Sequence, residues 1–178
     1  MSLNTYIALL RGINVVGRNK LPMKDLARLF EALGYEHVRT YIQSGNVVFR
    51  SRRKCSARAG RAISSAVEAE FGFRPAVLII ERRDLESALE GNPYPTEVGK
   101  ALHIFFLESD AEEPNINALE NCKLGTEQFR LDGRVFYLYT PDGFANSKIG
   151  GRVERCLGVA ATARNLNTVK KLIELSET

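Results

Sequence analysis

The order of periodicities along the chain predicts an α+β fold of two tightly packed ferredoxin-like (βαββαβ-type) halves with antiparallel sheets. Three observations predict it. Strand-like and helix-like segments follow as strand, helix, strand, strand, helix, strand over residues 1–81. A similar order restarts over residues 82–178 and ends in a helix. Two turn signals, Ser44-Gly45-Asn46 and Asp132-Gly133, each sit between two strand-like runs and mark hairpins. The expected division is a ferredoxin-like half at 1–81 and a second α/β half at 82–178 packed on it, possible as one compact domain.

Each element has its own warrant. Thr5 to Arg11 is apolar on both alternating faces and reads as a strand. Gly12 to Lys20 is a loop. Pro22 opens a helix, since proline is tolerated in a first turn. Leu26, Leu29, Phe30 and Leu33 recur there at helical spacing, and Gly34 stops it. Val38 to Gln43 and Val47 to Arg50 are the second and third strands. The next helix carries Ile63, Ala66, Val67 and Phe71 on one face and ends at Gly72, and Pro75 introduces a strand at Ala76 to Ile80. In the second half, Arg82 to Glu90 is a short helix, Ala101 to Leu107 a strand and Pro114 to Asn121 a helix. Glu127 to Leu131 and Arg134 to Tyr139 form a hairpin. Ser147 to Leu157 reads as helical, and Asn167 to Leu175 is a final helix standing where the first half has its last strand.

Several strands are apolar on both faces. Leaving a face uncovered forfeits about 25 cal/mol per Å², so the second half is expected over the sheet of the first. Tyr6, Tyr41 and Phe49 then read as core or interface residues rather than platforms for stacking bases. Gly45 to Phe49 also lacks the basic and aromatic positions of the common RNA-binding signature.

Composition narrows the function classes. The 178 residues are 44% hydrophobic and 26% charged, which excludes a disordered chain. The longest apolar runs, such as Ala76 to Ile80, fall far short of the roughly 20 residues that span a bilayer, so no membrane partner is expected. No basic, then apolar, leader is visible at the start of the sequence, so no secretion signal is expected. Cys55, Cys122 and Cys156 are odd in number and widely spaced, which fits neither a disulfide framework nor a zinc ribbon. A reducing cytoplasm is the expected compartment. His37 and His103 lack metal-ligand spacing, so neither a histidine triad nor a His-rich metal centre is expected, and no cofactor is implied. A carboxylate Mg²⁺ site assembled from distant positions stays open. The net charge of +4 permits a polyanionic partner without requiring one.

Four segments carry candidate chemistry. Gly12 and Gly17 bracket a strand-to-helix loop in the setting of a phosphate-binding loop, but Arg18-Asn19 stands where that loop needs Lys and Ser or Thr. Nucleotide hydrolysis there is rejected. Two readings remain: a looser anion site from Arg11, Asn14, Arg18 and Lys20, or glycines serving turns. The run Arg50 to Arg61 holds Arg50, Arg52, Arg53, Lys54, Arg58 and Arg61 with no acid. Arg52, Arg53 and Lys54 are the candidate nucleic-acid surface, against a plain solvated loop. Cations at a helix start oppose the macrodipole, which favours an anion nearby. Ala161 to Thr168 is a polar cluster opening a helix, capped by Asn167 or Thr168, where Arg164 completes an anion site or joins a surface pair. Ser147-Lys148 has the residue types of a nucleophile and base but no supporting frame, so Ser147 reads as a helix cap.

Long blocks of the chain are also familiar. Tyr6-Ile7-Ala8-Leu9-Leu10-Arg11-Gly12-Ile13-Asn14-Val15, Lys20-Leu21-Pro22-Met23 and Tyr41-Ile42-Gln43-Ser44-Gly45-Asn46-Val47-Val48-Phe49 resemble a bacterial family catalogued as domain of unknown function 1697. Ser147-Lys148 and Thr162 to Val169 resemble that family's other signature, so the resemblance spans nearly the whole chain. Two departures are visible. Val15-Val16-Gly17 stands where the family usually has Val-Gly-Gly, and Leu166 stands where it usually has Trp. The resemblance implies a soluble bacterial cytoplasmic protein of α/β type and no particular activity.

The signature blocks are rich in amide and guanidinium donors. In a ferredoxin-like unit the end of the first strand meets the start of the third, which brings Arg11 and Asn14 near Ser44 and Asn46. Arg164 and Asn167 are then expected to complete a donor-lined cleft between the halves for a phosphate, carboxylate or nucleotide. The competing reading is a buried polar network that holds turns together. Three function classes follow: an anion-binding protein with nucleic acid foremost, a small-molecule enzyme or binder acting on a phosphate- or carboxylate-bearing compound in that cleft, and a protein-interaction module. No general base stands out, so whether the protein is an enzyme is left open, as is its oligomeric state.

Overall fold

A computed structural model describes residues 3–177. Contacts divide the chain into two compact units, one running to Glu86 and resuming at Lys171, the other Ser87–Lys170. No helix among the described residues is long and apolar enough to cross a membrane.

The first unit contains β1 (Asn4–Arg11), α1 (Met23–Ala32), β2 (Glu36–Tyr41), β3 (Asn46–Ser51), α2 (Ala57–Phe71) and β4 (Ala76–Glu81). Its sheet order is β2-β3-β1-β4 with every pair antiparallel. This is the expected ferredoxin-like arrangement. Tyr6, Ala8 and Leu10 point from β1 into a core shared with Phe30, Phe49 and Ile63. Phe30 meets Phe49 edge-on at 5.2 Å between ring centroids, a favoured aromatic geometry. Ile7 and Leu9, on the opposite face of β1, are also fully buried. Both faces of that strand are therefore covered, as its continuous apolar run requires. Tyr6 and Phe49 are core residues, and Tyr41 is half-buried.

The second unit contains β5 (Leu102–Leu107), α4 (Ile116–Cys122), β6 (Gln128–Asp132), β7 (Val135–Tyr139), α5 (Val153–Leu157) and β8 (Ala161–Asn165). Its order, β6-β7-β5-β8, repeats the strand order of the first unit. Phe105, Phe136, Leu138, Leu119, Val153 and Leu157 build its core. α3 (Arg82–Glu90) carries the chain from the first unit into the second, and α6 (Leu166–Glu177) carries it back.

Three local expectations are corrected. The second unit ends in a helix, but that helix follows a fourth strand and does not replace it: Ala161 to Asn165 pairs with β5, Phe105 opposite Ala163. The polar residues of this strand hid it, since Thr162, Arg164 and Asn165 suggest a loop. Ser147 to Leu157 is not one helix. Phe144–Asn146 and Gly150–Arg152 are single 3₁₀ turns, and only Val153–Leu157 is α-helical. The Phe144 ring packs so closely on Gly150 that a Cβ there would meet it at 2.8 Å. Ser147 therefore caps no α-helix; its Oγ accepts a bond from the Ile149 N–H at 3.2 Å. Finally, β2 begins earlier than the sequence suggests. A bulge between Glu36 and Arg39, with His37 at φ 51°, places His37 inside the strand.

Candidate anion-binding site

The candidate site lies where β3 hands over to α2. β3 ends at Ser51, and the chain crosses Arg52 to Ser56 before the helix begins at Ala57. Ser56 occupies the cap position in extended conformation but makes no capping side-chain bond, and no acid stands in the first turn. The first N–H groups of a 15-residue helix thus lack a capping side chain and present the positive end of its dipole. Beside them opens a cavity of about 670 Å³, lined by Tyr35, Arg52, Arg53, Lys54, Cys55 and Arg58 among others.

The charge in this cavity is uneven. Arg52 reaches Glu36 at 3.1 Å, an exposed pair. Arg53, Lys54 and Arg58 are exposed and make no ion pair among the described residues. A neighbouring cavity of about 530 Å³ shares Lys54 but differs in balance. There Arg82 pairs with Glu86 at 2.6 Å and Glu177 at 3.0 Å, and Arg83 pairs with Glu81 at 3.0 Å. Its arginines are already neutralised, so the surplus positive charge belongs to the cavity at the start of α2.

Cys55 lies at the buried side of that cavity. Its Sγ donates to the Arg53 carbonyl at 3.6 Å, while the Arg53 N–H donates to Ser51 Oγ at 3.1 Å. Burial pushes the Cys55 thiol up, and hydrogen bonds with Ser51 and Tyr35 offset only part of that shift. Burial likewise raises Tyr35, with the neighbouring Cys55 adding to it. A raised thiol is protonated at neutral pH and is a poor nucleophile.

The residues singled out by the signature blocks fall differently. Arg11, Asn14, Ser44 and Asn46 gather at the other end of the first sheet, where Leu9 faces Asn46 and the Leu10 N–H donates to the Gly45 carbonyl at 2.8 Å. Gly45 has φ 85°, and a Cβ there would meet Ile13 at 2.7 Å and Leu10 at 2.8 Å, so only glycine fits. Asn14 donates to the Leu21 and Gln43 carbonyls, each at 2.9 Å, and accepts from the Leu21 N–H at 2.8 Å. Asn46 is fully buried and donates to the Tyr41 carbonyl at 2.9 Å and Ser44 Oγ at 3.0 Å. These amides bind backbone and hold turns.

Arg164 and Asn167 lie in the second unit. Arg164 is nine-tenths buried in β8, donates to the Ala163 carbonyl at 2.8 Å, and is lowered by burial to about 10. Asn167 is exposed in the first turn of α6 and its Oδ1 lies so tight against Gly99 that a Cβ there would collide with it. The cap of α6 is Asn165, whose Oδ1 accepts from the Thr168 N–H at 3.0 Å; neither Asn167 nor Thr168 takes that role. Leu166 is a core residue at 1% exposure.

The acid-free run in the sequence pointed to Arg52, Arg53 and Lys54; of these Arg52 is paired with Glu36, and Arg58 of the same run joins the other two at the cavity. The run carried no sign that Tyr35, from the connection between α1 and β2, would join them, because neither spacing nor charge links residues from two different connections.

A search of curated proteins finds no match. Among solved structures, a conserved bacterial protein from Streptococcus pneumoniae is similar in fold, with a TM-score of 0.73 at 23% identity. The alignment covers 99% of this chain and 100% of that one. Residues 3–137 match the family described as "Protein of unknown function (DUF1697)". The chain belongs to that family.

Proposed function

We propose that the protein binds a phosphate-bearing anion in the basic cavity at the start of α2, with a nucleic-acid backbone as the leading ligand. One observation carries the reading. Among the described residues, Arg53, Lys54 and Arg58 stand without ion pairs around a cavity of about 670 Å³, beside a helix start that its cap residue Ser56 does not cap. Free cations and free N–H groups at one place favour an anion twice over, by charge and by hydrogen bonding.

The test is fluorescence anisotropy of labelled single- and double-stranded nucleic acids at several salt concentrations. Three phosphate contacts on a duplex give a log–log salt slope of about −2.7. Arg53→Ala/Arg58→Ala flattens that slope. No binding at low salt defeats the nucleic-acid reading. The second reading, a small phosphorylated compound, is favoured by the cavity's volume, which falls in the range of small-molecule sites. Its sign is saturable thermal stabilisation by a mononucleotide or sugar phosphate in a protein that ignores polynucleotides.

A further inference from the structure

The other end of the first sheet holds a different anomaly. Gly12 to Lys20 forms a hairpin whose tip is Val15-Val16-Gly17-Arg18, with Val15 bridged to Arg18. The Arg18 N–H donates to the Val15 carbonyl at 2.8 Å and the Asn14 N–H to the Asn19 carbonyl at 2.9 Å. Asn19 Nδ2 donates to the Gly12 carbonyl at 2.7 Å. Val16 at this tip has φ 33°, and Ile42 in the adjoining turn has φ 48°. The Asn14 side chain ties the two segments together through the Gln43 carbonyl.

A positive φ at a β-branched residue is a strained arrangement that glycine or asparagine would relieve. Both side chains are also exposed: Val16 at 96%, Ile42 at 48%, with Val15 beside them at 51%. Folding alone gains nothing from either choice. A stiff tip that presents strained, uncovered aliphatic side chains has the form of a contact device.

The charge around it says what it meets. Arg11, Arg18, Lys20 and Arg39 flank the two segments, and neither 11–20 nor 39–46 contains an acid. Arg18 and Lys20 are exposed and make no ion pair among the described residues. The partner therefore carries negative charge outside an apolar layer. A lipid surface answers that description, but the elements that lie in a lipid surface with this pattern are amphipathic helices, and this tip is a short bridged hairpin. A second copy of this chain would meet its own cations. We infer that the Val15-Val16 hairpin is a wedge that enters between stacked base pairs while Arg18 and Lys20 meet the flanking phosphates, as apolar wedges do in duplexes they unstack. This rests on the nucleic-acid reading given above.

The experiment uses the full chain and a duplex longer than one helical turn, carrying 2-aminopurine at a TA step, which unstacks readily. Binding of the wild type raises the 2-aminopurine fluorescence. Val16→Gly relieves the strained φ, so it melts no lower than wild type. It loses the fluorescence rise and binds about tenfold more weakly, the scale of one buried valine, with the salt slope unchanged. Ile42→Asn, also suited to a positive φ, weakens binding in the same direction. Arg53→Ala/Arg58→Ala does the converse, flattening the slope while keeping the fluorescence rise at saturation. Binding without a fluorescence rise, or undiminished binding by Val16→Gly, overturns the wedge and leaves the phosphate reading standing. No binding at low salt overturns both. Pelleting with phosphatidylserine vesicles that Val16→Gly abolishes, without base unstacking, overturns nucleic acid as the occupant of the tip.

Discussion

The two units share a strand order, yet they use the same crossover in opposite ways. In the first, β3 leads through Arg52 to Ser56 into a 15-residue helix, and the connection leaves cations and N–H groups facing a cavity. In the second, β7 leads through two 3₁₀ turns into a five-residue helix. That connection folds an aromatic ring down: Phe144 stacks on His103 at 3.8 Å between centroids and packs against Gly150. One crossover opens onto a basic cavity, and the other folds an aromatic ring down over His103 and Gly150. Strand order fixes where a crossover runs, and the residues of the connection decide whether a site opens there.

The sharpest way to break this comparison is through His103. If the second crossover is truly closed, the imidazole stays neutral in the folded state. Burial lowers its pKa from 6.5 to about 4. The unfolded chain then binds a proton that the folded chain refuses as pH falls from 6.5 towards 4. Stability is fully present above pH 6.5 and drops by about 3 kcal/mol across that window. Urea unfolding at several pH values checks it, and His103→Leu flattens that part of the profile.

The seat of the Phe144 ring is tested by Gly150→Ala. The added methyl drives the Phe144 ring off its seat, with an expected cost of about 1–3 kcal/mol seen as a lower melting temperature. The open crossover responds in binding instead. Arg53→Ala/Arg58→Ala leaves stability within about 0.5 kcal/mol, as for exposed positions. It lowers the salt slope of polyanion binding by about 1.8.

The smallest and most discriminating change is Ser56→Asp. An aspartate at this cap accepts bonds from the bare N–H groups and complements the dipole, raising stability by about 0.5–1 kcal/mol. It also occupies and repels where an anion sits, so affinity falls while the melting temperature rises. A variant that gains stability and keeps its affinity would place the anion elsewhere.

Much of the fold was legible in the sequence. The both-faced apolar runs of β1 and β5, Pro22 before α1 and Asp132-Gly133 in the second hairpin specify their elements locally. The misses share a cause. β8 carries Thr162, Arg164 and Asn165, and it is a strand because β5 offers a free edge for pairing. Residues 147–157 have helical composition, and a ring arriving from Phe144 breaks them into turns. In each case contact with a residue outside the segment overrides its local propensity.

The candidate site divides along the same line. Charge and its pattern belong to the sequence: the acid-free run from Arg50 to Arg61 and the cations around Val15-Val16 are visible without coordinates. Which polar groups remain available belongs to the tertiary structure. Asn14 and Asn46 look like ligand residues by type, and folding engages them with the carbonyls of Leu21, Gln43 and Tyr41. Arg82 and Arg83 look as basic as Arg53 and Arg58, and folding sets glutamates against them. Some of these partners are far apart in the chain, as Asn14 and Gln43 or Arg82 and Glu177 are, and the nearer ones meet only when the backbone between them takes its folded course. A sequence therefore fixes the supply of donors and charges, and only the packed structure decides which of them are left for a partner.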